Sequence, residues 1–248
     1  EAEEFVRPYV GATEWLTGSL RYILYLEDIP PAQLRRLTNI KAIVQKVRLW
    51  RECRIPNKVG NKTRQNSDAL ADTPTKYHVT RVPNSSFLII PEVTSERRKY
   101  VPIGWLEPPT IPSNLLKIVL NASLSDFALL TSSMHMAWLA HIGGRLESRY
   151  RYSTQVVYNT FPLPSQPSKG KKSCVESLAQ SVLDARGLFA GTTLEDLYDP
   201  DTMPPKLLKA HKSLDTAVDR LYRASPFDSN EERAEFLLGL YEQRSQAY

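Results

Sequence analysis

Cysteine is scarce in this sequence: the 248 residues hold two, Cys53 and Cys174, far apart and in no metal-ligand spacing, so a reduced chain is the default. Long hydrophobic runs are missing as well. With no stretch of about 18 apolar residues, no segment is expected to span a membrane. Glycine and proline number only 10 and 18, which excludes collagen-like and low-complexity classes. The hydrophobic fraction of 42% is too high for a disordered chain. The first residues, EAEEFVRPYV, lack an initiator Met, a basic region and an apolar core, so they form no signal peptide and read like the cut edge of a longer protein. A chain of this length suits one large domain or two small ones.

What is abundant is positive charge, unevenly placed. Residues 1–164 carry 21 Lys and Arg against 14 Asp and Glu, whereas residues 165–248 carry 11 against 13. The excess peaks between Arg35 and Arg64, with Arg36, Lys41, Lys46, Arg48, Arg51, Arg54, Lys58 and Lys62 between them and only Glu52 opposing. Such a field attracts polyanions, nucleic acid above all; a well-solvated basic surface is the alternative.

Apolar periodicity places the elements. Residues 19–27 (SLRYILYLE) read as a strand, and Pro30 and Pro31 open a helix over 32–51 whose apolar face is Leu34, Leu37, Ile40, Val44 and Val47. A polar loop is expected at 55–75 and strands at 85–93, 99–106 and 115–122. A helix at 125–142 precedes short strands at 146–152 and 155–159. The stretch PLPSQPSKGKKS (162–173) has linker character, and helices follow at 175–189, 205–223 and 230–244, the last capped by Ser229 or Asn230. The fold class is therefore α+β: a mixed α/β domain over 1–164, a linker at 165–173 and a small all-α helical domain over 174–248.

Catalytic patterns are absent. A methyltransferase needs a Gly-rich loop for its methyl donor and an Asn/Asp-Pro-Pro-aromatic turn, and Gly143–Gly144 is a lone pair in a turn. For a metal nuclease, Glu92, Glu96 and Lys99 are the nearest approach, but no second acidic partner stands at suitable spacing. His78, His135, His141 and His211 form no ligand pattern, and Asp215 with Asp219 reads as a solvated helix face.

Five strings carry a resemblance: FVRPYVGATEWLTGSLRYILYL (5–26), SERRKYVPIGWL (95–106), LLTSSMHMAWL (129–139), GGRLESRYRYSTQVVYNTFPLP (143–164) and MPPKLLKAHKSLDTAVDRLY (203–222). In this order and spacing they resemble the C-terminal part of the MmeI-like family of type IIL restriction–modification enzymes. Its members join a nuclease domain (sometimes missing), an adenine-N6 methyltransferase domain, a target recognition domain and a helical C-terminal region. The resemblance implies a DNA-reading stretch that holds no cofactor itself. The larger protein would use S-adenosylmethionine, and Mg where it has a nuclease. The implied partners are double-stranded DNA and the protein's own methyltransferase domain, in the cytoplasm of a prokaryote and away from any membrane.

The family's specificity positions fall, by resemblance, on Glu92, Asn114, Leu115, Glu147, Arg149 and Arg151. The last three alternate along the expected strand and so project from one face. A carboxylate accepts from the N4 amine of cytosine and an Arg donates to N7 and O6 of guanine, so Glu147 with Arg149 suits a C·G pair. Glu92 with Asn114 suits another, and Arg151 with Leu115 a purine. Taken alone, Glu147 and Arg149 also read as an exposed ion pair. Arg7, Arg21, Arg35, Arg36, Lys41, Arg48, Arg51, Arg97, Arg98 and Lys99 are candidates for phosphate contacts that position the domain. For Arg97 and Arg98 an internal salt-bridge role competes. The other function class left open is a basic scaffold module that binds acidic proteins without reading sequence.

Overall fold

A computed structural model describes residues 2–53, 69–77 and 82–246. In chain order the elements begin with β1 (Val6–Val10), α1 (Ala12–Thr17), β2 (Tyr22–Leu24), α2 (Pro31–Arg36), α3 (Thr38–Cys53), β3 (Phe87–Pro91) and β4 (Val93–Thr94). There follow β5 (Gly104–Leu106), β6 (Ile111–Pro112), β7 (Leu116–Leu120), α4 (Leu124–Leu130), α5 (Ser133–Ile142), β8 (Gly144–Leu146) and β9 (Arg149–Arg151). Helices α6 (Lys169–Gly187), α7 (Leu194–Leu197), α8 (Pro205–Tyr222) and α9 (Asn230–Ser245) complete the order. Most of the expected 55–75 loop, with Arg54, Lys58, Lys62 and Arg64, lies outside the described residues, as does His78.

The chain divides into two compact units. The first, residues 1–9, 20–82 and 109–112, contains β2 paired antiparallel with β1 and the helices α2 and α3. Ile40 and Val44 of α3 bury against Leu26, with Phe5, Leu24 and Leu37 around them. The helix expected over 32–51 breaks at Leu37, whose ψ of 76° leaves the helical region, yet Leu34, Leu37, Ile40 and Val44 of the expected apolar face still pack together. Arg51 is buried, and its guanidinium donates to the carbonyls of Leu70, Thr73 and Lys76 at 2.9, 3.3 and 3.0 Å.

The second unit, residues 10–19, 83–108 and 113–248, is organised around β3, all five residues of which are buried. It pairs antiparallel with β5 on one side and β7 on the other, while β9 pairs with β4 and β8. Phe127, Trp138, Val157, Val182, Leu207, Leu214 and Leu237 share one core, so α6, α8 and α9 bury their apolar faces with α4 and α5. The helix expected over 125–142 is two helices, because Ser132 caps α5 by accepting from the His135 amide. Residues 154–158 form a π-helical turn where a strand was expected: Ser153 caps it, and Trp138 donates its indole N–H to the Val157 carbonyl at 3.2 Å. Ser168 caps α6, so 169–173 of the expected linker are helical.

Four of the five strings contribute to this core, and Trp15 of the first packs in a separate cluster with Phe87, Ile89 and Leu116. Trp15 donates to the Pro102 carbonyl at 2.6 Å and lies where a Cβ on Gly104 would come within 2.7 Å of its ring. Asp215 accepts from the Tyr100 hydroxyl, the Ser133 amide and the Ser133 hydroxyl, each at 2.7 Å. His211 stacks on Tyr100 at 4.0 Å and shares a 2.9 Å hydrogen bond with the Tyr198 hydroxyl. Asp215 and Asp219, read from sequence as a solvated face, are both buried. Burial raises the Asp215 carboxyl despite those three donors.

The buried histidines give a pH prediction. Burial depresses His135 to about 3 and His211 well below its usual value. The unfolded chain therefore binds protons that the folded one refuses between about 6.5 and 3, and stability falls as pH drops through that window. The raised Asp215 carboxyl opposes this in part, because the folded chain takes up that proton at a higher pH than the unfolded one. The urea midpoint should decline from pH 7 to pH 5, above the range where ordinary carboxylates titrate; a flat profile there would contradict the neutral buried imidazoles.

Candidate functional site

Strands β8 and β9 form a hairpin with Gly144 opposite Arg151, Arg145 opposite Tyr150 and Leu146 opposite Arg149. The loop between them is Glu147 and Ser148, and Glu147 has a φ of 57°. A two-residue loop with a positive φ at its first position matches the right-handed twist of the strands. The single strand expected over 146–152 is thus a hairpin, and Glu147 does not alternate with Arg149 and Arg151 along one face. It projects from the loop, while Arg149 and Arg151 share a face of β9. The loop nevertheless brings the expected pair together: Arg149 Nη2 donates to Glu147 Oε2 at 2.7 Å, with the side chains 45% and 77% exposed.

A carboxylate beneath the loop braces it. Glu96 accepts from its own backbone amide and from the Ser148 hydroxyl, and with Arg145 and Arg149 nearby its carboxyl is held low. Arg145 stacks over Tyr150 at 4.0 Å and donates to the Ala140 carbonyl. A glutamate in left-handed backbone carries strain that glycine lacks. Glu147→Gly should stabilise the chain by about 0.5–1 kcal/mol, the exposed ion pair it removes being worth about 0–1. Thermal unfolding checks this, and a Tm below that of the unaltered chain would count against a strained tip.

Glu92 sits between β3 and β4, beside Arg151. Its amide donates to the Leu115 carbonyl at 2.9 Å and its carbonyl accepts from the Tyr152 amide at 2.7 Å. Its side chain is only 13% exposed, with Oε1 accepting from Arg151 Nε at 3.1 Å and Oε2 from Lys117 Nζ at 2.8 Å. Burial pushes the Glu92 carboxyl up, but the hydrogen bonds and charges of Lys117 and Arg151 outweigh it and leave the group below its usual value. Leu115 is half exposed and Asn114 exposed at the turn before β7. The fold therefore gathers Glu92, Leu115 and Arg151 around backbone and ion-pair contacts, with Asn114 next in the chain. Lys117 went unnoticed in the sequence, although its place two residues after Leu115 at a strand edge was the available signal.

The phosphate candidates divide. Arg35, Arg36, Lys41 and Lys99 are exposed. Arg7 lies over the Tyr25 ring and Arg21 over the Tyr9 ring, at 4.5 and 4.3 Å. Arg48 pairs with Glu52, and Arg97 pairs with Asp201. Two expectations need correction: Arg51 serves the backbone carbonyls described above, and Arg98 is 10% exposed, 4.0 Å from Glu195, with burial lowering its pKa. Neither presents its cation outward.

Chemically, the hairpin tip offers an acceptor-only group beside a planar donor fork, both exposed. An exposed pair of this kind is held by about 0–1 kcal/mol, so releasing it to a base costs little, and a good base contact then discriminates by about 1–3 kcal/mol. Glu92 differs, since an incoming base amine must displace Arg151 from Oε1. Among the described residues no cluster of His, Cys, Asp or Glu could hold a metal, and no helix is long and apolar enough to cross a membrane.

Comparison with known proteins gives a consistent match. The family described as MmeI, target recognition domain, matches residues 1–165, and MmeI, C-terminal domain, matches residues 167–247. DNA methyltransferase A of Bacillus subtilis (strain 168) is 35% identical over 246 residues, which is 99% of this chain and 27% of the relative. A solved structure of the Type IIL restriction-modification enzyme MmeI in complex with DNA has 36% identity and a TM-score of 0.90, covering 99% of this chain and 32% of that one.

Proposed function

This chain belongs to the MmeI family, as its target recognition and C-terminal domains, and from that premise we propose that it reads a specific sequence in double-stranded DNA for a larger enzyme. The chain spans about a third or less of the relatives it matches. The larger protein would transfer a methyl group from S-adenosylmethionine to adenine N6 through a methyltransferase domain that this chain positions on its site, in the cytoplasm. Should it also carry a nuclease domain, Mg would serve there.

The observation that carries the reading is the exposed Glu147–Arg149 pair at the tip of the β8–β9 hairpin. Its acceptor and donors complement the N4 amine of cytosine and the N7 and O6 of the paired guanine. Glu92 with Asn114 would read a second C·G pair once Arg151 turns to its own base, and Arg151 with Leu115 would read a purine. Arg7, Arg21, Arg35, Arg36, Lys41, Arg48, Arg97 and Lys99 would hold phosphates and set the register.

The test is selection from a randomised duplex pool at low and moderate salt. A short enriched motif containing C is the expected result. Binding without enrichment would reduce the chain to phosphate contact, and no binding at low salt would favour a scaffold for acidic proteins.

A further inference from the structure

Residues 165–248 have an acidic balance, yet α8 distributes its charge by face. Its two acids, Asp215 and Asp219, are buried. Its cations Lys206, Lys209, Lys212 and Arg220 are all exposed, and none has an ion-pair partner among the described residues. At about 100° per residue these four fall within an arc of about 120°, with the exposed hydroxyls of Ser213 and Thr216 between them. The result is an unopposed basic ridge about 21 Å long, the axial rise of about six base pairs.

A second group of cations adjoins it. Lys171 Nζ donates to the Arg220 carbonyl at 3.0 Å, so the start of α6 lies beside the end of α8. The first turn of α6 carries Lys169, Lys171 and Lys172 and no acid. Lys172 pairs with Glu176 one turn on at 3.9 Å, whereas Lys169 and Lys171 oppose the macrodipole at the helix N-terminus without such a pair.

We infer that the solvent face of α8, continued by the start of α6, is a second DNA-contacting surface, which binds backbone phosphates of the duplex read at the hairpin. The inference rests on the base-reading function proposed above, and it gives the helical C-terminal region a direct part in binding. Unpaired cations at helical spacing with interleaved hydroxyls fit phosphate oxygens, and they carry no base information.

The test uses the whole chain and the duplex enriched from the pool, with affinity measured across a salt series. Replacing Lys206, Lys209, Lys212 and Arg220 by Gln should reduce the salt exponent by about 2–4, at about 0.9 per phosphate, and leave the enriched motif unchanged. A second variant, Ser213→Glu with Thr216→Glu, keeps every cation and should weaken binding to all duplexes alike. An unchanged exponent in the first, or unchanged affinity in the second, overturns the ridge while base reading stands. Binding of the unaltered chain without an enriched motif overturns base reading, and no binding at low salt overturns both.

Discussion

A chain carrying Glu147→Lys together with Arg149→Asp is expected to select G where the unaltered chain selects C at one position of its motif, and to leave the other positions as they were. The substitution moves the donor to the loop position and the acceptor to β9, reversing the pattern offered to the base pair. Cytosine N4 is then presented to the carboxylate from the opposite strand, and guanine N7 and O6 to the ammonium. A good base contact discriminates by about 1–3 kcal/mol, so preference at that pair should reverse by a factor of roughly five to more than a hundred each way. Because both side chains are exposed and their mutual ion pair contributes little, the fold should tolerate the exchange. Competition between two duplexes differing at that pair reads the result. Unchanged preference would remove the tip from the reading surface.

Arg233→Met is expected to be the most destabilising of the changes considered, at about 3–5 kcal/mol. Arg233 meets Asp219 as a fork, Nη2 to Oδ2 at 2.6 Å and Nε to Oδ1 at 3.1 Å, with the side chains 13% and 9% exposed. Truncating the cation leaves a carboxylate unpaired in the core between α8 and α9. Replacing both partners is different, since Asp219→Asn with Arg233→Met leaves neither member of this pair charged, and most of the loss should be recovered. Urea unfolding distinguishes the cases. A loss below about 1 kcal/mol in the single variant would mean that Asp219 finds water or another donor.

Elements with strong periodicity were legible in the sequence. The stripe Leu207, Leu214 and Val218 fixed α8 nearly to its ends, and Ser229 caps α9 as its sequence suggests. The β8–β9 hairpin was not legible, because its loop is Glu-Ser and lacks the Asn-Gly or Gly-rich pairs that announce such turns. The break at Leu37 likewise has no Gly or Pro to mark it. Burial of Asp215 depends on Tyr100 and Ser133, 115 and 82 residues away, and no local pattern reports partners at that distance. Of the site, the Glu147–Arg149 pairing was legible from their closeness in the chain, although the hairpin loop and not a shared strand face brings them together. The meeting of Glu92 with Arg151 and Lys117 needed the tertiary register of β4 on β9 and of β7 on β3.

Base reading by the hairpin requires Arg149 to donate to the acceptor edge of a guanine. Replacing that guanine in the enriched duplex by 7-deazaguanine removes the N7 acceptor and keeps Watson–Crick pairing. The unaltered chain should lose about 1 kcal/mol, a factor of about five, whereas an Arg149→Ala chain should bind both duplexes equally. An equal loss in the two chains, or none in either, would contradict base reading by this hairpin.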